Sequence, residues 1–157
     1  MGEFRIVTYE VHNPKIKESQ GIRFAFLADV HGSEFGTDNH NLEAKIRENV
    51  PDAILVAGDM VVRKEVSTLE NARKLLVSLA KDFPVFYGMG NHESKMKTED
   101  HPCQREYLEY QQSLREAGVH ILANEKYEFQ AKGTAFVING LELPLEYYHK
   151  PTSPKLT

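Results

Sequence analysis

Three short apolar runs, each followed at once by a turn-forming or acidic residue, constrain this chain more than any other feature of its sequence. The runs cover residues 24–28 (FAFLA), 53–57 (AILVA) and 84–87 (PVFY), and an aspartate or a glycine follows each of them. A continuous apolar run of this length is typical of a strand buried on both faces, as in a parallel sheet. The carboxyl ends of parallel strands meet at one edge of the sheet, where α/β proteins bind their ligands. We therefore expect the polar residues after the three runs to form one site.

The residues after these runs have side chains that bind divalent cations. Asp29 and His31 follow the first run, Asp59 follows the second, and Asn91 and His92 follow the third. Asp29 and His31 are two positions apart, so in an extended chain both side chains point to the same side. A carboxylate and an imidazole aimed together suit a divalent metal. For Asp29 and His31 alone, the alternative is a solvated strand end with an incidental histidine. This alternative is disfavoured because two further apolar runs are also followed by side chains that can bind metal.

Taken together, three motifs carry a family resemblance. Residues 29–31 (DVH), 58–59 (GD) and 90–93 (GNHE) resemble, in this order and at this spacing, the first three motifs of the calcineurin-like metallophosphoesterases. Residues 35–39 and 145–148 are similar to segments of a bacterial branch of that superfamily. The resemblance implies an α/β fold, namely the N-terminal part of a four-layer α/β/β/α sandwich. In that architecture a parallel βαβ core is followed by short antiparallel strands.

The resemblance also implies a role for each candidate residue. Asp29, His31, Asp59 and Asn91 would hold two divalent cations, and the Asp59 carboxylate would bridge them. The cations could be Mn, Fe, Zn or Mg, because mixed nitrogen and oxygen ligands do not decide between these metals. His92 would be the catalytic residue, stabilising the phosphate or protonating the leaving group. The implied partner is a phosphate-ester substrate, a monoester or a diester, hydrolysed by water activated between the two cations.

The third motif is expected to lie in a loop after its strand. Asn91 and His92 are the candidate site residues of this loop. Glu93 is kept outside the predicted site, as a residue that only holds the loop.

The later motifs of the family do not occur in the sequence. The family pattern continues with a further histidine and a Gly-His-x-His motif, and no His-x-His is present in residues 1–157. We therefore interpret these residues as a single truncated metallophosphoesterase domain, the N-terminal half. Without the later imidazoles the cations would be weakly held, so we expect little activity from this chain alone. We also expect open strand edges and an uncovered apolar face.

Two other functional classes are weighed against the enzyme. A metallophosphoesterase-fold scaffold or binding module would keep the fold without hydrolysis. The five candidate residues favour descent from an active enzyme, whereas the lack of the later motifs favours an inactive product. A nucleotide-binding α/β domain has no support, because neither Gly-x-x-x-x-Gly-Lys nor Gly-x-Gly-x-x-Gly occurs in the sequence.

Composition narrows the setting of the chain. A length of 157 residues is sufficient for one domain, and a net charge of -4 gives no general reason to bind nucleic acid. The single cysteine, Cys103, fits a reducing compartment. No apolar stretch reaches the roughly 20 residues that cross a bilayer, and no secretory signal is evident, so a cytoplasmic location is expected. The oligomeric state stays open.

Apolar periodicity predicts the helices. Leu42 and Ile46 lie one turn apart in a helix that Asp38 is expected to cap. Ser67 and Glu70 fit a capping box at the start of the next helix. The apolar face of that helix comprises Leu69, Ala72, Leu75, Leu76 and Leu79.

Short runs of strand-forming residues flank this core. Residues 4–11 are predicted to form an edge strand. Residues 120–122, 127–130 and 135–138 are expected to begin a second, antiparallel sheet. Turns are predicted at Asn124-Glu125, Lys132-Gly133 and Asn139-Gly140, and Asn-Gly is typical of a hairpin turn.

Overall fold

Four parallel strands form the central sheet of the computed structural model, which describes residues 3–16 and 21–148. In order across the sheet the strands are β1 (Phe24–Leu27), β2 (Ala53–Ala57), β3 (Val85–Gly88) and β4 (His120–Leu122). Every neighbouring pair is parallel. The three apolar runs therefore form the strands that their composition predicts, and β4 extends the same sheet.

Helices connect the strands. They are α1 (His40–Glu48), α2 (Ser67–Ala80), α3 (Asn91–Met96) and α4 (Gln104–Glu116), with short 3₁₀ turns at Thr37–Asn39 and Leu145–Tyr148. Within residues 3–16 and 21–148, none of the helices combines the length and the apolar character needed to cross a bilayer.

Two apolar cores lie on the two faces of the sheet. On one face Ile54, Val56 and Tyr87 pack with the buried sides of α1, α2 and α4. On the other face Ala53 and Phe86 pack against an antiparallel hairpin formed by β5 (Glu125–Ala131) and β6 (Thr134–Gly140). Helices, parallel sheet and antiparallel strands thus follow one another as layers, and the predicted α/β fold is confirmed.

The hairpin covers only part of its face of the sheet. Phe26 remains 66% exposed, and with Leu55, Phe86 and Ile138 it lines a cavity of about 260 Å³. Among the described residues, an apolar part of this face of the central sheet is therefore left open beside the hairpin.

Several predicted strands differ from the structure. Residues 4–11 form no strand, because within the described chain no neighbouring strand supplies the hydrogen bonds that an isolated β-prone segment needs. The first central strand ends at Leu27, one residue before the end of its apolar run. Residues 120–122 belong to the parallel sheet and not to the antiparallel one. The predicted turn at Lys132-Gly133 is confirmed as the hairpin turn, with φ of 46° and 74°, whereas the predicted turn at Asn139-Gly140 is wrong, because these residues lie within β6.

The helix faces are confirmed, but both predicted caps are wrong. Leu42 and Ile46 are buried, and so are all five residues of the predicted apolar face of α2. Helix α1 follows a left-handed residue, Asn39, while the Asp38 carboxylate instead accepts a bond from Lys74 Nζ at 2.7 Å. Helix α2 begins at Ser67, the predicted cap residue, so the backbone of Ser67 is already helical and its side chain makes no capping hydrogen bond. Glu70 pairs with the arginine three positions later.

Val50 offers a stabilising substitution. It is 69% exposed and has a φ of 43°, a left-handed conformation that strains a β-branched residue. We expect Val50→Asn to raise the free energy of unfolding by about 1 kcal/mol, because asparagine tolerates this conformation. Urea denaturation followed by circular dichroism measures the change. Val137→Asn is the control, since Val137 is also exposed but lies in a strand, and it should bring no gain. Equal or lower stability for Val50→Asn would contradict the expectation.

Candidate metal centre

Three candidate ligands meet at the carboxyl edge of the sheet. Asp29 and His31 follow β1, and Asp59 follows β2. One ligand atom from each of these residues lies within 4.8 Å of the other two. His31 Nε2 lies 3.6 Å from Asp29 Oδ1, and both side chains are partly open to solvent. The adjacency of parallel strand ends thus brings together residues that are about 30 positions apart in the chain.

The reason for this convergence differs from the one expected. Asp29, His31 and Asp59 have φ values of 53°, 50° and 52°, so none of them is extended. The left-handed region is uncommon for residues other than glycine and costs free energy, and it is frequent at functional sites. The side chains of Asp29 and His31 approach each other because the backbone turns at both residues. Alternation along an extended strand therefore does not bring Asp29 and His31 together, although the two side chains do lie side by side as expected.

Backbone hydrogen bonds hold these turns against one another. His31 N–H donates to Asp59 O at 2.9 Å, and Gly32 N–H donates to Met60 O at 2.8 Å. The contact between β1 and β2 thus continues past the ends of both strands. These bonds compensate for part of the conformational strain at the candidate ligands.

Two glycines allow the turns after β2 and β3 to touch. A Cβ atom at Gly58 would overlap the backbone of Gly90, and a Cβ atom at Gly90 would overlap the Asp59 carboxylate. Gly58 also has a φ of 82°, which favours glycine. The close approach of these two backbones places the Asp59 carboxylate beside the third motif, residues 90–93.

The third motif forms the first turn of α3, where a loop was expected. Asn91 is the first residue of the helix and is half-buried. His92 N–H donates to Asp59 Oδ1 at 3.0 Å, and the His92 ring lies 4.8 Å from the His31 ring in an edge-to-face arrangement. The structure therefore brings His92 to the same site as Asp29, His31 and Asp59. Asn91 lies beside it in the chain.

The surroundings of His92 select one neutral tautomer. The backbone N–H of Arg63 donates to His92 Nδ1 at 3.0 Å, so Nδ1 acts as an acceptor and the proton of the neutral ring resides on Nε2. Partial burial lowers the pKa of His92, an effect that the nearby Asp59 carboxylate opposes. The geometry thus leaves Nε2–H as a hydrogen-bond donor.

Glu93 is closer to the site than the sequence-based interpretation allows. It is fully buried, and its Oε2 accepts bonds from Asp59 N–H at 2.9 Å and Gly90 N–H at 3.2 Å. Its Oε1 accepts bonds from Met60 N–H at 2.9 Å and Tyr87 OH at 2.6 Å. Burial raises the pKa of the carboxyl, and these hydrogen bonds oppose the rise. A glutamate three positions after a helix-capping glycine was the signal for this arrangement.

The donor set fits a divalent cation. Asp29 and Asp59 provide carboxylate oxygens and His31 provides an imidazole nitrogen, a mixture that suits Mn, Fe, Zn or Mg. The two carboxylates also supply the negative charge that compensates for a dication.

Comparison with known proteins agrees with this fold. A crystal structure of a phosphopantetheinyl hydrolase from Mycobacterium tuberculosis is similar with a TM-score of 0.52 and 22% identity, over 80% of this chain and 44% of that one. The present chain therefore spans less than half the length of that protein. Among the curated proteins, none matches. The family model described as calcineurin-like phosphoesterase matches residues 22–153, which is most of the sequence. The chain belongs to the calcineurin-like phosphoesterase family.

Proposed function

We propose that this chain carries a metal-dependent phosphoesterase site that hydrolyses phosphomonoester or phosphodiester bonds. The observation that carries the proposal is the convergence of Asp29, His31 and Asp59 within 4.8 Å at the carboxyl edge of the sheet. Membership of the calcineurin-like phosphoesterase family supports the same chemistry.

Each side chain has a defined part in the proposal. Asp29 and His31 hold one divalent cation, Asn91 holds a second, and Asp59 is shared between the two. Such cations, when bound, lower the pKa of water and neutralise charge on phosphate oxygens. Asp59 Oδ1 is already oriented by the N–H of His92, which limits the rotation of the carboxylate.

His92 acts on the phosphate ester by donating a hydrogen bond. Its Nδ1 is occupied by the Arg63 N–H, so the Nε2 proton is the one available to a phosphate oxygen or to the leaving-group oxygen. A neutral donor near a cation pair adds no further positive charge, and its hydrogen bond stabilises the negative charge that develops on that oxygen as the ester bond breaks.

We expect cation binding to be weak in this chain. Among the described residues, the candidate cluster gathers only three groups around the first position, and all three are at least partly open to solvent. Water would fill the other coordination positions, which reduces affinity and precision of geometry.

Hydrolysis of two chromogenic substrates tests the function. Bis(p-nitrophenyl) phosphate and p-nitrophenyl phosphate, each assayed with Mn²⁺ or Zn²⁺ and again after chelation, distinguish diesterase from monoesterase activity. We expect slow, cation-dependent release of nitrophenol that chelation abolishes. Cation binding without any hydrolysis would instead support the scaffold or binding module.

His92→Asn should separate catalysis from cation binding. We expect hydrolysis to fall by about 10²–10³-fold, the usual cost of losing one hydrogen-bond donor to developing negative charge, with unchanged cation affinity. His40→Asn is the matched control, because His40 is exposed at the start of α1 and has no part in the proposed site. Equal loss of hydrolysis in both variants, or no loss in His92→Asn, would contradict the role of His92.

A further inference from the structure

We infer that Glu93 is a positioning residue for the proposed cation site, and this inference rests on the proposed function. Its buried carboxylate joins the turn after β2 to the turn after β3 and thereby sets the distance between Asp59 and the residues of α3. Glu93 would touch neither a cation nor a substrate. It would act through the backbone of the residues that do.

The hydrogen bonds of Glu93 connect both turns at once. Oε2 binds the N–H groups of Asp59 and Gly90, which belong to different turns. Oε1 binds the N–H of Met60 in the first turn and the hydroxyl of Tyr87 in β3. One carboxylate therefore accepts from four donors on two neighbouring segments. A shift of either turn would break at least one of these bonds.

Helix α4 supports the Glu93 carboxylate through Tyr87. Tyr87 is buried, and its hydroxyl lies 3.4 Å from the hydroxyl of Tyr110, which is buried on α4. Next to this pair, Tyr107 accepts a bond from Gln111 at 3.1 Å. Burial raises the pKa of Tyr87 and Tyr107, so both hydroxyls keep their protons. The position of Glu93 is thus set by the helix α4 and not only by its own short helix.

The chemistry of the donors explains why a carboxylate is needed. Three of the four partners are backbone N–H groups, which can only donate, so both side-chain oxygens must accept. A glutamine amide has one oxygen and one NH₂ group, and the NH₂ would face at least one backbone N–H whichever way it is turned. Glu93→Gln therefore preserves size while leaving a buried backbone donor without an acceptor.

Amide hydrogen exchange of the cation-free chain tests the clamp directly. In Glu93→Gln we expect the amides of Asp59, Met60 and Gly90 to exchange about 10- to 100-fold faster than in the wild type, since a buried donor loses its acceptor. The rates are corrected for any change at Leu75 and Leu76, which are fully buried in α2 and report global unfolding. Unchanged exchange at all three amides would overturn the inference.

Calorimetric titration with Mn²⁺ tests the consequence for the site. We expect Glu93→Gln to weaken binding about 10- to 100-fold, as losses of residues that orient ligands do. Leu79→Ala is the control for stability: Leu79 is fully buried near the end of α2, at the edge of the sheet opposite the site, and its truncation should destabilise the chain without changing affinity. Equal weakening in Leu79→Ala would reduce Glu93 to a structural role and overturn the inference.

Two tyrosine variants keep the test decisive if Glu93→Gln does not fold. Tyr87→Phe removes one of the four donors to Glu93 and should weaken Mn²⁺ binding less, but in the same direction. Tyr110→Phe removes a hydroxyl that contacts Tyr87 but not Glu93, and should weaken binding by less than Tyr87→Phe does. Identical affinities for Tyr87→Phe and the wild type would then overturn the inference. If the wild type takes up no cation, the proposed function fails, and the exchange measurement alone decides the role of Glu93.

Discussion

Replacing Asp59 with asparagine should weaken Mn²⁺ binding by more than about 100-fold, beyond the usual cost of losing a residue that only supports a ligand. Asp59 is the one residue that the proposal shares between both cations, so its charge contributes to each. The asparagine keeps the volume and the Oδ1 acceptor for the N–H of His92, and the local fold should therefore persist. Isothermal titration calorimetry on protein stripped with a chelator measures the affinity. Hydrolysis should disappear with the binding.

Asp82→Asn is the matched control for this charge change. Asp82 lies just beyond the C-terminal end of α2, at the opposite edge of the sheet, where it pairs with Arg47. Its loss should leave cation affinity unchanged. In the cation-free chain the unfolding free energy of Asp59→Asn should not fall, since the variant removes repulsion from the nearby Asp29 carboxylate. Wild-type affinity in Asp59→Asn would refute the proposed cation site.

Phe86→Ala should lower the free energy of unfolding by about 3–5 kcal/mol, which is a large part of the stability of a small domain. Phe86 is only 2% exposed and is the ring through which β3 meets the hairpin. Its centroid lies 5.4 Å from that of Phe129, 5.1 Å from that of Tyr127 and 5.2 Å from that of His120. Truncation would remove contacts to β4 and β5 together. Urea denaturation monitored by circular dichroism gives the free energy.

Phe26→Ala is the comparison on the same face of the sheet. Phe26 is 66% exposed where the hairpin does not reach, so its truncation should cost less than about 1 kcal/mol. Equal losses for the two phenylalanines would mean that the hairpin does not pack on Phe86 as the structure has it.

Patterns of burial were predictable because they depend on the chain's own periodicity. The apolar runs predict the parallel strands that begin at residues 24, 53 and 85. Helical spacing predicts the apolar face of α2 from Leu69 to Leu79. A turn at Gly58 was likewise expected, because a turn-forming or acidic residue follows each apolar run, and its φ of 82° is the form that this turn takes.

Caps and edges were not predictable, because each depends on a partner elsewhere in the chain. Ser67 and Glu70 match the sequence pattern of a capping box, but helix α2 begins at Ser67 itself, one residue earlier than that pattern predicts. The hydroxyl of Thr68 then binds that turn instead, accepting from Val62 N–H and donating to Glu65 O. Likewise β4 joined the parallel sheet because β3 offered it a free edge.

The amino-acid sequence by itself indicated the candidate residues of the proposed site: each of Asp29, His31, Asp59, Asn91 and His92 follows a strand end. The tertiary structure alone decided how they meet. Left-handed turns at Asp29, His31 and Asp59, the contact of two glycines, and the buried carboxylate of Glu93 all depend on hydrogen bonds between segments about 30 residues apart. Local sequence specifies which side chains are available, whereas strained backbone conformations persist only where distant segments pack against them.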